Sequence, residues 1–316
     1  MTDGAGDLAL TLSGLNNEDT IDGGDQDTST GDAVTATTVT GLTATTGALN
    51  VSNVENLNIQ ATGANTFDLT NVSNVAVFAL SGATPGTQTL TNVSSGQVIG
   101  IGEDGAVFDN GAEIDVTLAD ATGSSDTLTF NVNNTANAKS DATLDISGVE
   151  TITLDVAAAT NNAQVLVANA EATTLNVVDG GAGALLTLGT LNAATSTVDA
   201  SGFDGDISFS GANATSAMTV SLAGLDNADD ATLSGENDTL TVAETAGGVA
   251  MDLDGGAGTD TINVTLANGA ADFDEVDNFE VMNLTVVSGA DVTAGANVGE
   301  VEGIDELTTL NVLGGN

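Results

Sequence analysis

The amino-acid sequence predicts an all-β protein in which short strands stack as a parallel β-helix (β-solenoid). Three observations lead to this class. Phrases recur about every 20 residues, apolar residues alternate with polar ones inside each phrase, and turn-forming residues are abundant. The 316 residues include 39 glycines and one proline, but no tryptophan or tyrosine. Small and β-branched apolar side chains suit a narrow, regular interior, and Thr, Val and Ile favour strands.

The recurring phrase is clearest around three Asn-Val-Ser triplets, which begin at Asn50, Asn71 and Asn92 with a constant step of 21 residues. Apolar residues follow each triplet in register, and we expect them to form columns in the interior. The predicted columns are Val51, Val72 and Val93; Leu57, Phe78 and Ile99; and Ile59, Leu80 and Ile101. A unit of this length cannot bury its own apolar face, so successive coils of the chain must lie on one another.

Weaker copies of the phrase extend the repeat toward the C-terminus. The predicted neighbours are Glu150 and Glu171, Leu154 and Leu175, and, at a longer step, Glu280 and Glu306. A β-sandwich would also explain regularly spaced turns, but it would not explain one polar triplet at a fixed step. We therefore predict one continuous β-solenoid over residues 1–316, with coils of about 20 residues and an irregular coil or loop near 131–142.

The charge of the chain is strongly one-sided. It has 45 acidic residues and one basic residue, Lys139, which gives a formal net charge of −44. This self-repulsion opposes a compact state, so bound cations or a saline medium must offset it. Nucleic acid and anionic membrane are excluded as partners because no basic patch can form. No run of ~20 apolar residues exists, so membrane insertion is not expected, and the absence of cysteine excludes disulfides.

The segment 255–262, Gly-Gly-Ala-Gly-Thr-Asp-Thr-Ile, matches the calcium-binding repeat Gly-Gly-x-Gly-x-Asp-x-apolar in every specified position. Glycine allows backbone conformations that turn carbonyl groups inward, and the aspartate supplies a carboxylate. Ca²⁺ binds six to eight oxygen ligands, many of them carbonyls, so few side chains are needed.

Partial copies of this motif occur in other acidic turns. Asp238 precedes Asp260 by 22 residues, close to one coil, so we expect the two carboxylates to stack and share a metal ion. The predicted metal ligands are Asp19, Asp22, Gly23, Gly24, Asp25, Asp126, Asn237, Asp238, Asp254, Gly256, Gly258 and Asp260. The alternative is that Gly/Asp-rich turns only cap strands at a solvated surface. Several Ca²⁺ ions would remove part of the net charge, which favours the metal sites.

The three Asn-Val-Ser triplets have two interpretations. Stacked asparagine amides can hydrogen-bond as a ladder along the solenoid. Each triplet is also an acceptor sequence for an N-linked glycan. We expect the ladder, because the repeat alone accounts for the positions of the asparagines.

The glycine–aspartate turns resemble those of the RTX (repeats-in-toxin) family. The phrases at 51–59, 146–154 and 301–312 resemble calcium-dependent bacterial surface-layer (S-layer) proteins with RTX-like β-helical lattice domains. This resemblance implies several bound Ca²⁺ ions, assembly outside the cell at the cell surface, and secretion through a type I pathway. The first residues fit such export because they lack a basic and apolar signal segment. Unlike RTX β-rolls, the chain has no tandem nine-residue copies.

An extracellular structural protein is the function that these observations favour. Catalysis is not expected, because the chain has no His or Arg for a nucleophilic triad or for the base of a lyase. A glycosidase with two carboxylates needs neither residue, but a sugar site usually offers aromatic side chains, and Trp and Tyr are missing. The expected partners are further copies of the chain, in a lattice or filament, and a cell-surface polysaccharide. Repeat-like sequence at both ends is expected either of a piece of a longer protein or of subunits that stack end to end, and we expect the stacking, or lateral contacts through calcium. Two alternatives remain: the stalk of a secreted RTX-type adhesin, and an ice-binding solenoid suggested by the Thr-rich segment 35–47.

Overall fold

The computed structural model describes residues 9–13, 15–16, 18–24, 32–39, 47–84, 86–102, 112–133, 140–157, 163–179, 184–222, 230–244, 252–266, 275–286 and 307–314. Within these ranges the chain forms 25 strands and no helix, and hence no helix with the length and apolar character to cross a membrane. The strands pair in parallel and stack coil on coil. The predicted all-β solenoid is therefore confirmed.

The described strands form two sheets and are numbered in chain order. The larger sheet has 15 strands: β1 (Ala9–Leu12), β2 (Thr20–Asp22), β3 (Ala33–Val39), β4 (Asn50–Thr62), β6 (Asn71–Thr84), β8 (Val98–Ile101), β10 (Thr127–Val132), β12 (Thr151–Val156), β14 (Thr174–Asp179), β16 (Thr197–Phe203), β18 (Thr219–Leu222), β20 (Thr239–Glu244), β22 (Thr261–Leu266), β24 (Val281–Val286) and β25 (Thr309–Gly314). The smaller sheet has ten: β5 (Asn65–Asp68), β7 (Gln88–Val93), β9 (Ala112–Leu118), β11 (Ser140–Ile146), β13 (Ala163–Ala170), β15 (Leu185–Thr190), β17 (Asp206–Ser210), β19 (Asp230–Thr232), β21 (Asp252–Asp254) and β23 (Glu275–Asp277).

The order of strands shows how the coils are built. From β4 to β24 the chain alternates between the two sheets, so each coil adds one strand to each sheet. Because the turns connect a strand of one sheet to a strand of the other, equivalent turns of successive coils lie beside one another. This arrangement brings the acidic turns of neighbouring coils together.

The predicted apolar columns are largely confirmed. Leu57 pairs with Phe78 and Phe78 with Ile99, and all three side chains are buried. The column of Ile59, Leu80 and Ile101 is formed in the same way. The alternation of buried and partly buried residues along β12 and β10 is the pattern expected of a strand with one face in the core.

The prediction that Val93 continues the column of Val51 and Val72 is wrong. Val93 lies in the smaller sheet, where it pairs with Leu118. The preceding residue, Asn92, has a left-handed backbone (φ 58°), which shifts the register there. The third Asn-Val-Ser triplet therefore does not stack on the second.

Two other predicted pairs are also displaced. Leu154 pairs with Val177 instead of Leu175, and Ile152 takes Leu175 as its partner. Glu150 lies beside Thr173 and Thr174, whose backbone N–H groups donate to its carbonyl, whereas the N–H of Glu171 donates to the carbonyl of Ile146. Glu306, the predicted neighbour of Glu280, lies outside the described residues. The coils differ in length because their turns take different numbers of residues, while the strands keep their pairing.

Apolar side chains from both sheets form one continuous core. Phe67 of β5 and Phe78 of β6 meet across it edge to face, with ring centroids 5.7 Å apart and planes at 66°. The space between the sheets is narrow, which explains why Val, Leu and Ile suffice elsewhere. Of the segment predicted to be irregular, residues 131–133 and 140–142 border or belong to β10 and β11, and 134–139 lie outside the described residues.

Candidate metal centre

The turn that carries the calcium-type motif begins where β21 ends. The Asp254 Oδ1 atom accepts the backbone N–H of Gly256 at 2.9 Å and the side-chain amide of Asn278, one coil ahead, at 2.7 Å. A Cβ atom on Gly255 would lie 2.2 Å from the backbone oxygen of Asn278, and Gly256 has a φ of 87°. Glycine is therefore needed here both for close approach between coils and for the left-handed backbone.

Asp238 and Asp260 lie side by side just before β20 and β22, as the 22-residue spacing predicts. Both side chains are fully buried, at 1% and 0% exposure. The backbone N–H of Asp238 donates to Oδ1 of Asp260 at 2.6 Å, and the N–H of Asp260 donates to Oε2 of Glu280 at 2.7 Å. The same contact occurs one coil earlier, where Met218 N–H donates to Asp238 Oδ1 at 2.6 Å.

These four residues form a series that we call the carboxylate column: Met218, Asp238, Asp260 and Glu280. Each member immediately precedes a strand of the larger sheet, and each carboxylate accepts the N–H at the start of the preceding coil's strand. Hydrogen bonds from an N–H to an ionised carboxylate are stronger than those between neutral groups. The column therefore fastens consecutive coils at the edge where the strands begin.

The two buried aspartates differ in how completely they are paired. Asp238 Oδ2 accepts the backbone N–H of Ser234 at 2.7 Å, and the Ser234 hydroxyl lies 2.8 Å from both carboxylate oxygens. In Asp260 only Oδ1 is engaged, and the buried Oδ2 has no hydrogen-bond partner among the residues that the structure describes. A buried acceptor left unpaired costs about 1–3 kcal/mol. Asp260 thus presents the free ligand atom of the pair.

The electrostatic environment of Asp260 is strongly negative. The pKa of Asp260 is raised to about 6, mainly by burial. The hydrogen bond from the backbone of Asp238 lowers this pKa, whereas the negative charges of Asp238, Glu280 and Asp254 raise it further. At neutral pH the carboxylate is still ionised, with other carboxylates nearby. A divalent cation at Oδ2 would satisfy the free oxygen and offset the repulsion, and an oxygen-rich environment suits Ca²⁺.

A second Asp-Gly-Gly turn, at residues 22–24, repeats this geometry at the other end of the larger sheet. Asp22 Oδ1 accepts the N–H of Gly24 at 3.1 Å and the amide of Asn53 at 2.9 Å, as Asp254 does with Gly256 and Asn278. These bonds lower the pKa of Asp22, the Asn53 amide having the largest effect.

The residues around this second turn correspond to those around the turn at residues 254–256. Asp32 is buried and its N–H donates to Oε2 of Glu55 at 2.5 Å, as Asp260 does to Glu280. The shared pattern is an Asp-Gly-Gly turn, a buried Asp before a strand, and Asn-x-Glu on the next coil. Asp22, Gly23 and Gly24 were predicted from the sequence, whereas Asp32 and Glu55 were not.

Asp126 shows part of the same arrangement. Its N–H donates to Oε2 of Glu150 at 2.8 Å, and its own Oδ2 atom is buried with no hydrogen-bond partner in the described part of the chain. Gly148 lies two residues before Glu150, the position that Asn53 and Asn278 occupy before their glutamates. Its φ of 71° is left-handed, as theirs is. The Asp-Gly-Gly turn itself is not repeated here.

The remaining predicted ligands occupy less enclosed positions. Asp19 Oδ2 accepts the backbone N–H of Asn16 at 3.0 Å within a turn. Asn237 is exposed, and its Oδ1 accepts the N–H of Thr259, one coil ahead, at 2.9 Å. Gly258 packs against the backbone of Glu236. Asp25 lies outside the described residues.

A further acidic cluster was not predicted from the sequence. Carboxylate oxygens of Glu113, Asp115 and Asp145 lie within 4.8 Å of one another on the outer face of the smaller sheet. Burial and the charges of Glu113 and Asp145 raise the pKa of Asp115, and a hydrogen bond from Thr89 opposes this. Asp115 and Asp145 pair directly in neighbouring strands across a long coil, so no short motif could have indicated the cluster.

Comparison with protein-family models, with curated proteins and with solved structures gives no match to this chain. The fold therefore defines the class of the protein, a parallel β-solenoid with acidic inter-coil turns.

Proposed function

We propose that the protein is an extracellular structural β-solenoid that is stabilised by bound Ca²⁺ and self-assembles into a surface layer or filament. The observation that carries this proposal is the buried Oδ2 atom of Asp260, which no described residue hydrogen-bonds and which lies close to the charges of Asp238, Asp254 and Glu280. The lack of His and Arg, and of aromatic residues suited to a sugar site, supports a structural role over catalysis.

Calcium would act on the stability of the solenoid. Asp238, Asp260 and Glu280 belong to three consecutive coils, so a cation held at Asp260 would hold three coils together. It would also neutralise carboxylates that repel one another in its absence. Metal that binds only the folded chain stabilises it by about 2.7 kcal/mol at a free concentration 100 times the dissociation constant.

The test compares Asp260→Asn with Asp199→Asn, a control that removes the same charge from an exposed aspartate. Calorimetric titration with Ca²⁺ should show fewer bound ions for Asp260→Asn and an unchanged number for Asp199→Asn. In thermal melts at constant ionic strength, Ca²⁺ should raise the melting temperature of the wild type and of Asp199→Asn more than that of Asp260→Asn.

A further signature separates a cation site from a merely buried carboxylate. In the presence of chelator, Asp260→Asn should be at least as stable as the wild type, because the neutral amide relieves the repulsion. Asp260→Asn should be less stable than the wild type only when Ca²⁺ is added. A wild-type melt that is indifferent to both Ca²⁺ and chelator would rule out the calcium proposal.

Assembly is tested by electron microscopy of the purified chain with and without Ca²⁺. Ordered sheets or filaments that need Ca²⁺ support a surface lattice. Dispersed single particles in both conditions would contradict self-assembly. Cell fractionation addresses the proposed location, since a lattice protein should be abundant at the cell surface.

A further inference from the structure

Asp126, Asp238 and Asp260 occupy equivalent positions in three turns, each immediately before a strand of the larger sheet. Asp238 and Asp260 are one coil apart, and the N–H groups of Asp126 and Asp260 both donate to a glutamate of the next coil. The three turns nevertheless provide hydrogen bonds to these carboxylates in two different ways. The difference lies in the residue four positions before each aspartate.

The turn before Asp238 is closed by a serine. Ser234 is 2% exposed, and its backbone N–H donates to Asp238 Oδ2 at 2.7 Å. Its hydroxyl lies 2.8 Å from each of the two carboxylate oxygens, which is the side from which a carboxylate binds a cation through both oxygens. Since Met218 N–H also donates to Oδ1, both oxygens of Asp238 have partners. We call this arrangement a closed turn.

The turn before Asp260 lacks this closure. The residue four positions before Asp260 is Gly256, which has no hydroxyl, and its N–H donates to Asp254 Oδ1 at 2.9 Å. One coil earlier, the partner of Asp254 in the sheet is Thr232, so no carboxylate at that position attracts the N–H of Ser234. Oδ2 of Asp260 therefore has no hydrogen-bond partner among the described residues, and we call such a turn open.

The turn before Asp126 is also open, although it has a hydroxyl group at the same position. Thr122, four residues before Asp126, donates its N–H at 3.0 Å and its hydroxyl at 2.6 Å to Asp120 Oδ1. Asp120 lies six residues before Asp126, as Asp254 lies before Asp260. In both open turns, this earlier aspartate accepts the N–H that the closed turn gives to the aspartate before the strand.

We propose that Ser234 excludes a cation from Asp238, and that glycine in place of serine leaves Asp260 able to bind Ca²⁺. This inference rests on the proposed function and deepens it, because it identifies the residue that determines which buried aspartate takes the ion. Asp238 and Asp260 then do not share an ion, in contrast to the expectation from their spacing. Asp238 fastens neighbouring coils without metal, and Asp260 binds the ion through Oδ2.

The first test counts the Ca²⁺ ions bound per chain by equilibrium dialysis. Ser234→Gly copies the open turn and should bind one ion more than the wild type, and Ser234→Ala, which changes the backbone less, should do the same. Adding Asp238→Asn to Ser234→Gly should remove the extra ion. The matched control is Ser201→Gly. Ser201 also donates its N–H and hydroxyl to an aspartate, Asp199, at 3.0 and 2.6 Å, but both residues are exposed, so the number of ions should not change.

Thermal melts give a second readout that a purely structural serine would not affect. In chelator, Ser234→Gly should melt below the wild type, because the buried Asp238 carboxylate loses the hydroxyl. Added Ca²⁺ should raise the melting temperature of Ser234→Gly more than that of the wild type and so reduce the deficit. A deficit of the same size with and without Ca²⁺ would contradict the proposal.

The outcomes separate this inference from the proposed function. If neither Ser234→Gly nor Ser234→Ala binds more Ca²⁺ than the wild type, the inference is wrong. If Asp260→Asn then still loses an ion, the proposed calcium site stands and only the role of Ser234 is overturned. If Asp260→Asn binds as many ions as the wild type while Ser234→Gly gains one, the role of Ser234 stands and the proposed site at Asp260 is overturned.

Discussion

The backbone N–H of Asp238 donates a 2.6 Å hydrogen bond to Oδ1 of Asp260, a residue 22 positions later that lies directly beside it on the next coil. The contact shows that these acidic residues stabilise the stacking of coils even without a metal ion. In a parallel sheet the N–H just before a strand needs an acceptor, and here a carboxylate of the next coil provides it. The same arrangement joins Asp32 to Glu55 and Asp126 to Glu150.

Asp238→Ala should destabilise the fold by at least about 2 kcal/mol, because the buried N–H groups of Met218 and Ser234 would lose their acceptors. Urea unfolding followed by circular dichroism measures this loss. Asp199→Ala, which removes an exposed carboxylate, is the control and should cost clearly less. Equal losses for the two variants would mean that the carboxylate column contributes little.

Gly255→Ala should destabilise the protein, because the added methyl group would lie 2.2 Å from the backbone oxygen of Asn278 and must push two coils apart. Gly235→Ala is the matched control, since no atom of the described residues lies within 4 Å of the added methyl group. There the reduced freedom of the unfolded chain predicts no loss or a gain of about 0.4–1 kcal/mol. Thermal melts of the two variants should therefore shift in different directions or by clearly different amounts.

Leu154→Ala should cost about 2–5 kcal/mol, because Leu154 is fully buried between Phe130 and Val177 in one interior column. Since each coil contacts only its neighbours, hydrogen exchange should accelerate most in β10, β12 and β14. Thr153→Ala, on the outer face of the same strand, should leave exchange nearly unchanged. Uniform acceleration over the whole chain would contradict this local picture.

The stability should depend on pH in opposite ways at two aspartates. Burial and repulsion from Asp179 raise the pKa of Asp155, so its ionisation opposes folding at neutral pH and this cost disappears as the pH falls through the raised pKa. Hydrogen bonds from Thr122 lower the pKa of Asp120, so its stabilisation is present above the unfolded pKa of 3.8 and is lost as the pH falls.

Asp155→Asn should therefore be more stable than the wild type at pH 7, with an advantage that shrinks toward pH 4. Asp120→Asn should be less stable at pH 7, and its deficit should shrink in acid. Denaturation curves at several pH values measure both differences. If both variants were more stable than the wild type at pH 7, or both less stable, the cause given for at least one of the two pKa shifts would be wrong.

The fold and the main acidic pair could be predicted because they depend on local patterns. Alternation in phrases such as Thr151–Val156 follows from the two-residue period of a strand. The equal spacing of Leu57, Phe78 and Ile99, and of Asp238 and Asp260, gave correct neighbours where the intervening turns have the assumed length.

The sequence by itself determined that the strands stack in parallel around a narrow apolar core and that the turns are acidic. Only the tertiary structure decided that Leu154 pairs with Val177 and that the Asn92 amide donates to Asp68 instead of continuing the asparagine ladder. The tertiary structure also decided which carboxylates accept backbone N–H groups of the preceding coil: Glu55, Glu150 and Glu280. The physical reason is that side-chain alternation is fixed within a strand, whereas the residue met on the next coil depends on how many residues each turn uses. Turn length depends on contacts between coils, and these exist only once the chain has wound up.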